Sequence, residues 1–337
     1  MTDKKPQEEV EIPDETPAEV EVSDTVEKPA NSDHVMDAAS IDLSKKIKAD
    51  ASAQEILDVL LDMQDTELLP WEEIVLPSRG QYYDGKIPGG IVKVKPMGAQ
   101  DDKILATQRL AASGQSLEHL FKHCVQLPEG IDPADLLGGD RVFLLYVLRG
   151  ITHGNMYEFI VPCPSCELKS THQYDLNTLA STITGPSPGL DQEPFKIVLP
   201  YMSESLKQEV FVTIKLLRGR DVNQYTASRK FKKRITPGAA TEHYRNPGAV
   251  DDTLTESMML SLVSWMGEVT DEQKLRRLVD RLHSRDLAVI REFLKNNTPG
   301  IDTTINVSCP GCGTEFKTEL PITEGFFRPS GSARSGT

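Results

Sequence analysis

The 337-residue chain has no run of about 18 apolar residues, so no transmembrane helix is expected. Its first residues, MTDKKPQEEVEIP, hold no apolar core segment, so no secretory signal is expected there, and the protein should meet a reducing cytoplasm. No Walker loop, dinucleotide fingerprint or His-Glu-x-x-His pattern occurs. Acids and bases are not clustered as general acid–base chemistry would need, so the expectation is a protein that is not an enzyme. Cysteines number only five, and in a reducing compartment five cysteines favour metal or free thiols over disulfides. Aromatics are scarce at 6%, and the first 50 residues have none.

The charge is unevenly placed. The net charge is −14, yet residues 1–69 hold 19 acids and 6 bases, a net of −13, while the rest holds 32 acids and 31 bases. The acidity belongs to a tail and the body is balanced, which excludes a globally basic body or one built to repel nucleic acid. Residues 1–50 cannot bury enough apolar area to offset chain entropy and read as a disordered acidic tail. Ile56, Leu57, Leu60, Leu61 and Leu68 then follow near-helical spacing over residues 52–69, an amphipathic helix for docking on the body or on a partner. Residues 70–90 (PWEEIVLPSRGQYYDGKIPGG) read as an extended arm with turns. Such an arm can add to a neighbour's sheet or fold across its own body; both readings stand.

The body repeats itself. Val92–Asp101 lies over Val212–Asp221 at an offset of 120, with Lys95 on Lys215 and Asp101 on Asp221. Each is an alternating strand running into an Asp that can cap a helix. Leu117, Leu120, Phe121 and Cys124 form an apolar helical stripe, and an offset of 142 places Met259, Leu262, Val263 and Met266 on the same pattern. Asp140–Cys166 lies over Asp286–Cys312 at an offset of 146, with Leu148 on Leu294, Thr152 on Thr298 and Gly154 on Gly300. An insertion near Lys230–Thr253 accounts for most of the drift. The expected fold is α+β: two duplicated strand–helical units joined by a four-cysteine zinc ribbon-like β platform. The layout is a tail (1–50), helix and arm (51–90), repeat 1 (91–180), a linker (181–210), repeat 2 (211–328) and a flexible C-terminus (329–337). The apolar run Val142–Leu148 should be fully buried.

Four cysteines form two Cys-x-x-Cys pairs, Cys163/Cys166 and Cys309/Cys312, each between strand-like runs. Two such knuckles supply the four soft ligands of a tetrahedral zinc ion. Each half holds one pair, so a four-sulfur site requires the halves to face one another, and such a site is structural because no coordination position stays open. A redox pair, an iron–sulfur cluster and a remnant that has lost its metal are the alternatives. Cys124, on its helix's apolar stripe, reads as a buried core thiol. His119 and His123 sit at i, i+4 off that stripe and are expected to be exposed.

Residues 218–234 hold seven bases, one acid and two interleaved aromatics, Tyr225 and Phe231. Within them Arg229, Lys230, Lys232, Lys233 and Arg234 are candidates for contact with phosphate or an acidic protein; the plainer reading is a solvated helix face and loop.

The string Leu76-Pro77-Ser78-x-Gly80-x-Tyr82, the strand Ile91–Lys95, the helix beginning Asp101-Asp102, the segment Asp140…Leu148-Arg149-x-x-Thr152-x-Gly154, and Cys163-Pro164-x-Cys166 leading to Asp175-Leu176 together resemble the baseplate hub subunit family of T-even-type contractile-tail phages. The second copy extends the match to about residue 328, ending in PITEGFFRP. The long acidic N-terminus and the insertion depart from the family pattern. The resemblance implies a non-enzymatic hub or tail-assembly protein, made late in infection, in the host cytoplasm during assembly and then in the virion tail baseplate. Its partners would be other hub and tail proteins, with no small-molecule substrate, no membrane and no nucleic acid. Leu76, Pro77, Ser78, Gly80 and Tyr82 would be partner-binding residues on the arm. Two other readings are a nucleic-acid-binding zinc protein using residues 218–234, and an assembly chaperone absent from the mature virion.

Overall fold

A computed structural model describes residues 47, 48, 50–63, 69–106, 115–223, 258–322, 326 and 327. The expectations for the acidic tail up to residue 46, for Tyr225 and Phe231, for Arg229, Lys230, Lys232, Lys233 and Arg234, for the insertion and for the C-terminus lie outside the described residues.

The chain is a mixture of helices and short antiparallel strands. In the first half, β1 (Glu72–Val75) and β3 (Val125–Gln126) flank β2 (Ile91–Val94), with Ile74 opposite Val92 and Val94 opposite Val125. Alternation decides which face is inward: Val92 and Val94 are buried while Ile91 and Lys93 face solvent. Helices α1 (Ala53–Asp62), α2 (Ala99–Ala106), α3 (Gln115–Cys124) and α4 (Gly138–His153) belong to this half. Ser52 starts α1 with a reciprocal capping box to Glu55. None of α1 is fully buried: Leu57 and Leu61 are exposed, Ile56 and Leu60 partly buried, and Leu68 lies outside the described residues. In α4, Phe143–Leu148 are buried and Val142 is partly so, because α4 runs through the core.

The two-residue strands β6 (Ile183–Thr184) and β10 (Gly300–Ile301) pair with each other, and the second half has another three-stranded sheet, in which β8 (Phe211–Ile214) lies between β7 (Phe195–Val198) and β9 (Leu262–Trp265). Ile197 faces Val212 and Ile214 faces Leu262. Helices α5 (Pro200–Leu206), α6 (Glu272–Val279) and α7 (Ser284–Asn297) accompany it. Two expectations are corrected here. Residues 181–210 are not a bare linker, since Phe195 and Ile197 alternate inward as a strand and Pro200 opens a helix. Residues 262–265 are strand rather than helix, so Met259, Leu262, Val263 and Met266 are not one helical face. The ladder bond from Lys215 N–H to Ser261 O matches that from Lys95 N–H to Cys124 O, which places Ser261, not Met266, opposite Cys124 in such a comparison.

Further contacts pair off between the halves. Gly98 N–H donates to Asp101 Oδ2 at 2.8 Å, and Arg218 N–H to Asp221 Oδ2 at 3.0 Å. Ser78 N–H donates to buried Asp140 at 3.0 Å, and Tyr201 N–H to buried Asp286 at 2.8 Å. The hydroxyl of Thr152 donates to Leu148 O, and that of Thr298 to Leu294 O, both at 2.6 Å. Buried apolar residues of both halves form one contiguous cluster. The backbones nearly touch at Gly139, where an added Cβ would lie 1.8 Å from Pro299 O.

The arm is folded onto its own body. Leu76, Pro77 and Ser78 are buried, Gly80 and Tyr82 partly so. Tyr83 donates its hydroxyl hydrogen to Asp140 Oδ2 at 2.7 Å and accepts from Leu137 N–H at 2.8 Å. Tyr82 donates to Leu190 O and sets its ring edge-on to Phe195. Gly80 turns at φ +80°, where a Cβ would meet Ile87 O at 1.9 Å, so only glycine fits. Leu76, Pro77 and Ser78 therefore contribute to the chain's own core.

Candidate metal centre

Two β-hairpins carry the cysteines. The strands β4 (Met156–Pro162) and β5 (Lys169–Asp175) pair over seven positions, and β11 (Thr304–Ser308) with β12 (Glu315–Glu319) over five. The burial of β4 alternates, with Tyr157, Phe159 and Val161 inward, as the sequence alternation demands. Each hairpin ends in a Cys-x-x-Cys turn of one design. Cys163 N–H donates to Leu168 O and Cys309 N–H to Thr314 O, both at 2.9 Å; Glu167 N–H returns to Cys163 O and Gly313 N–H to Cys309 O, also at 2.9 Å. The turn needs a left-handed residue just after its second cysteine, supplied by Gly313 at φ 72° and, at some strain, by Glu167 at φ 59°.

The two tips meet. Cys163 Sγ lies 3.6 Å from Cys312 Sγ and Cys166 Sγ 3.6 Å from Cys309 Sγ, and all four sulfurs lie within 4.8 Å of one another. A tetrahedral ion with metal–sulfur bonds of about 2.3 Å sets its sulfurs roughly 3.8 Å apart, so the cluster is compact enough to hold one metal ion. Cys163 and Cys309 are buried; Cys166 and Cys312 are exposed. The knuckles also pack directly, for a Cβ on Gly311 would come within 2.6 Å of the Leu168 side chain.

At the second knuckle, neighbouring groups favour thiolates, whereas Cys166 of the first is pushed up by the sulfurs around it. Hydrogen bonding with the Thr314 side chain and backbone holds the Cys312 thiol down at about 6. The amides of Cys312 and Gly311 hold Cys309 below the ordinary thiol range. Metal ligation needs deprotonated sulfur, so these hydrogen bonds suit the second knuckle to a cation. Thr314, Leu168 and Glu167 were not singled out from the sequence. The only signal was position, since each lies within two residues of a knuckle cysteine.

Contacts away from the sulfurs fix the hairpins to each other. Tyr157 OH donates to Pro321 O and Tyr146 OH to Leu320 O, both at 2.8 Å. Phe326 sets its ring edge-on to Tyr146 and Tyr157, at centroid distances of 5.2 and 5.0 Å. The knuckles thus sit on a joint that aromatic packing has already aligned.

A second group, Asp101, His123 and Cys124, also has its ligand atoms within 4.8 Å. His123 Nδ1 is 2.6 Å from Asp101 Oδ1, closer than two ligands of one ion stand, and Lys95 Nζ is 3.3 Å from Nε2, so both ring nitrogens are engaged by side chains. His123 is therefore half-buried and bonded, against the expectation for the pair; His119 is exposed. Cys124 is buried, and burial together with the Asp101 carboxylate pushes its thiol up, as a core thiol should be.

A family model described as T4 bacteriophage base plate protein matches residues 76–328. The chain belongs to the T4 bacteriophage base plate protein family. No curated protein and no solved structure matches it. The match begins at Leu76, where the arm enters the core, and ends just after Phe327, whose carbonyl accepts from His153 at 2.9 Å. It therefore spans both hairpins and all four clustered cysteines. A baseplate protein is a structural component of the phage tail and works in contact with other baseplate proteins. Among the described residues no helix is long and apolar enough to cross a membrane.

Proposed function

We propose that this baseplate protein is a non-enzymatic building block of the baseplate hub, in which one structural zinc ion clamps two duplicated halves. The observation that carries the reading is the meeting of four sulfurs, two from each half, at the tips of hairpins 146 residues apart in register. Zinc would be held by Cys163, Cys166, Cys309 and Cys312. Its chemistry there is cohesive: binding free energy becomes folding free energy, and four sulfurs leave no position for water or substrate. Hydrogen bonding with Thr314 keeps Cys312 ready to ligate, and the buried Cys163 and Cys309 anchor the site on the core side.

Duplication is supported by the recurrence of contacts. One spacing of 146 relates Asp140 to Asp286, Leu148 to Leu294, Thr152 to Thr298 and Cys163 to Cys309. The two sheets share a strand order, and the arm strand β1 corresponds to β7, so each unit starts earlier than residues 91 and 211. The four-cysteine platform is two facing hairpins joined through sulfur, not one continuous sheet.

In this reading the chain assembles in the host cytoplasm with other hub and tail proteins, stays in the virion tail baseplate, and engages no small-molecule substrate, membrane or nucleic acid. Quantitative mass spectrometry of purified mature particles and of baseplate intermediates tests it. Peptides of this chain should appear in both, at a fixed ratio to the other hub proteins. Their presence in intermediates and absence from particles would make the protein an assembly chaperone instead.

A further inference from the structure

Two sulfur pairs stand 3.6 Å apart; each joins the two halves, and each couples a buried cysteine to an exposed one. Cys163 is buried and faces exposed Cys312; Cys309 is buried and faces exposed Cys166. Four cysteines allow three pairings. The observed approach favours the one in which Cys163–Cys312 and Cys166–Cys309 close together, using every sulfur once. A disulfide needs about 2.05 Å between sulfurs, so each pair has roughly 1.5 Å to close. Closure within a knuckle would leave the halves unlinked.

We propose that, when the metal is lost in an oxidising medium, the knuckles close as two cross-half disulfides, Cys163–Cys312 and Cys166–Cys309, which preserve the clamp in covalent form. This rests on the metal-site reading above. A phage particle is built in a reducing cell and persists outside it, so a joint held by zinc thiolates meets both conditions. The oxidant can be any small disulfide. With oxidised glutathione, the exposed thiolate of Cys312 attacks one glutathione sulfur, forms a mixed disulfide and releases one glutathione thiolate. Cys163 then attacks the Cys312 sulfur and displaces the second glutathione. Each protein disulfide thus consumes two thiols and one oxidised glutathione and yields two reduced glutathiones. Cys166 and Cys309 follow the same course with a second equivalent. Cys124 lies in the core with no exposed sulfur beside it and stays a thiol.

The test uses the full chain, stripped with a chelator, incubated with oxidised glutathione and then alkylated. Expected on peptide mapping without reduction is one species joining the peptide of Cys163 and Cys166 to that of Cys309 and Cys312, with Cys124 alkylated. Two unlinked peptides, each closed on itself, would overturn the proposal. The double variants Cys166→Ser/Cys309→Ser and Cys163→Ser/Cys309→Ser separate the remaining pairings. The first should cross-link at least tenfold faster than the second, and equal rates would contradict the assignment. Where a variant does not fold, the wild-type map alone decides between linkage across and within halves. The outcome is separable from that for zinc: cross-links in a chain that never bound metal refute the metal reading only, and a zinc-binding chain that oxidises within each knuckle refutes this proposal only.

Discussion

Gly138 and Gly139 are adjacent at the start of one helix, yet alanine at each should act with opposite sign. A Cβ on Gly138 finds only Leu217 O, at 3.6 Å, an ordinary contact. A Cβ on Gly139 would lie 1.8 Å from Pro299 O, 2.9 Å from Pro299 C and 3.0 Å from Gly300 Cα. All three are backbone atoms of the other half, so no rotamer change relieves the clash, and the chains must part by roughly 1.5 Å to reach van der Waals contact. Overpacking in a well-filled interior costs about 1–3 kcal/mol, and a clash against backbone belongs at or above the top of that range. Gly138→Ala should instead be neutral or stabilising by up to about 1 kcal/mol, because alanine loses less chain entropy in a helix. At about 2–4 °C per kcal/mol for a body of this size, Gly139→Ala should lower the thermal midpoint by roughly 6–12 °C, and Gly138→Ala should leave it level or raise it. Thermal unfolding by circular dichroism, with metal saturating, reads both. Equal midpoints for the two variants would refute the claim that the halves meet backbone to backbone at Gly139.

Cys166 and Cys309 are 143 positions apart, so an ion joining them closes a loop whose entropy amounts to about 5 kcal/mol at most. Urea unfolding of the wild type should weaken toward that limit when a chelator is added, whereas Cys309→Ser should start weaker and respond little to chelator. Tyr83→Phe should cost about 2–4 kcal/mol in the same assay, because it leaves the buried Asp140 Oδ2 and the Leu137 N–H unpaired. In acid, Asp302 is held below the ordinary carboxylate range by the Thr304 hydroxyl and amide, and Asp132 by the Ala134 amide. A depressed folded-state value means stability present above about pH 4 and lost as pH falls through the folded value. Asp302→Asn should therefore flatten the acid limb of stability against pH below about 4, and a steeper limb would contradict this sign.

The parts of the fold legible in the sequence are those where one local rule decides the outcome. Two Cys-x-x-Cys pairs between alternating strands announced the hairpins, and the strict in–out alternation of Tyr157, Phe159 and Val161 placed the first on the core. Asp101 and Asp221 marked helix starts because a short carboxylate satisfies an otherwise unpaired amide. Phe195–Val198 carried the same two-residue period as Ile91–Val94, but a short strand beside Pro-rich sequence is easily taken for a linker. Met259 to Met266 misled for a physical reason: apolar spacing of three and four is helical only if the backbone stays helical, and here the chain passes into the ladder beside β8. The fate of the arm was not legible at all. Tyr83 reaches Asp140, 57 positions away, and only tertiary packing reveals that Leu76 and Ser78 face inward. The placing of His123 between Lys95 and Asp101 was hidden likewise, because the three residues come from separate parts of the chain.

The most direct measurement is metal analysis of the purified full chain combined with X-ray absorption at the zinc edge. Expected is one zinc per chain, surrounded by four sulfurs at about 2.3 Å, with the signal lost in Cys163→Ser and in Cys309→Ser alike. Less than about half an equivalent of zinc, or a shell containing nitrogen or oxygen, would mean that the two halves are not joined through a shared four-sulfur ion.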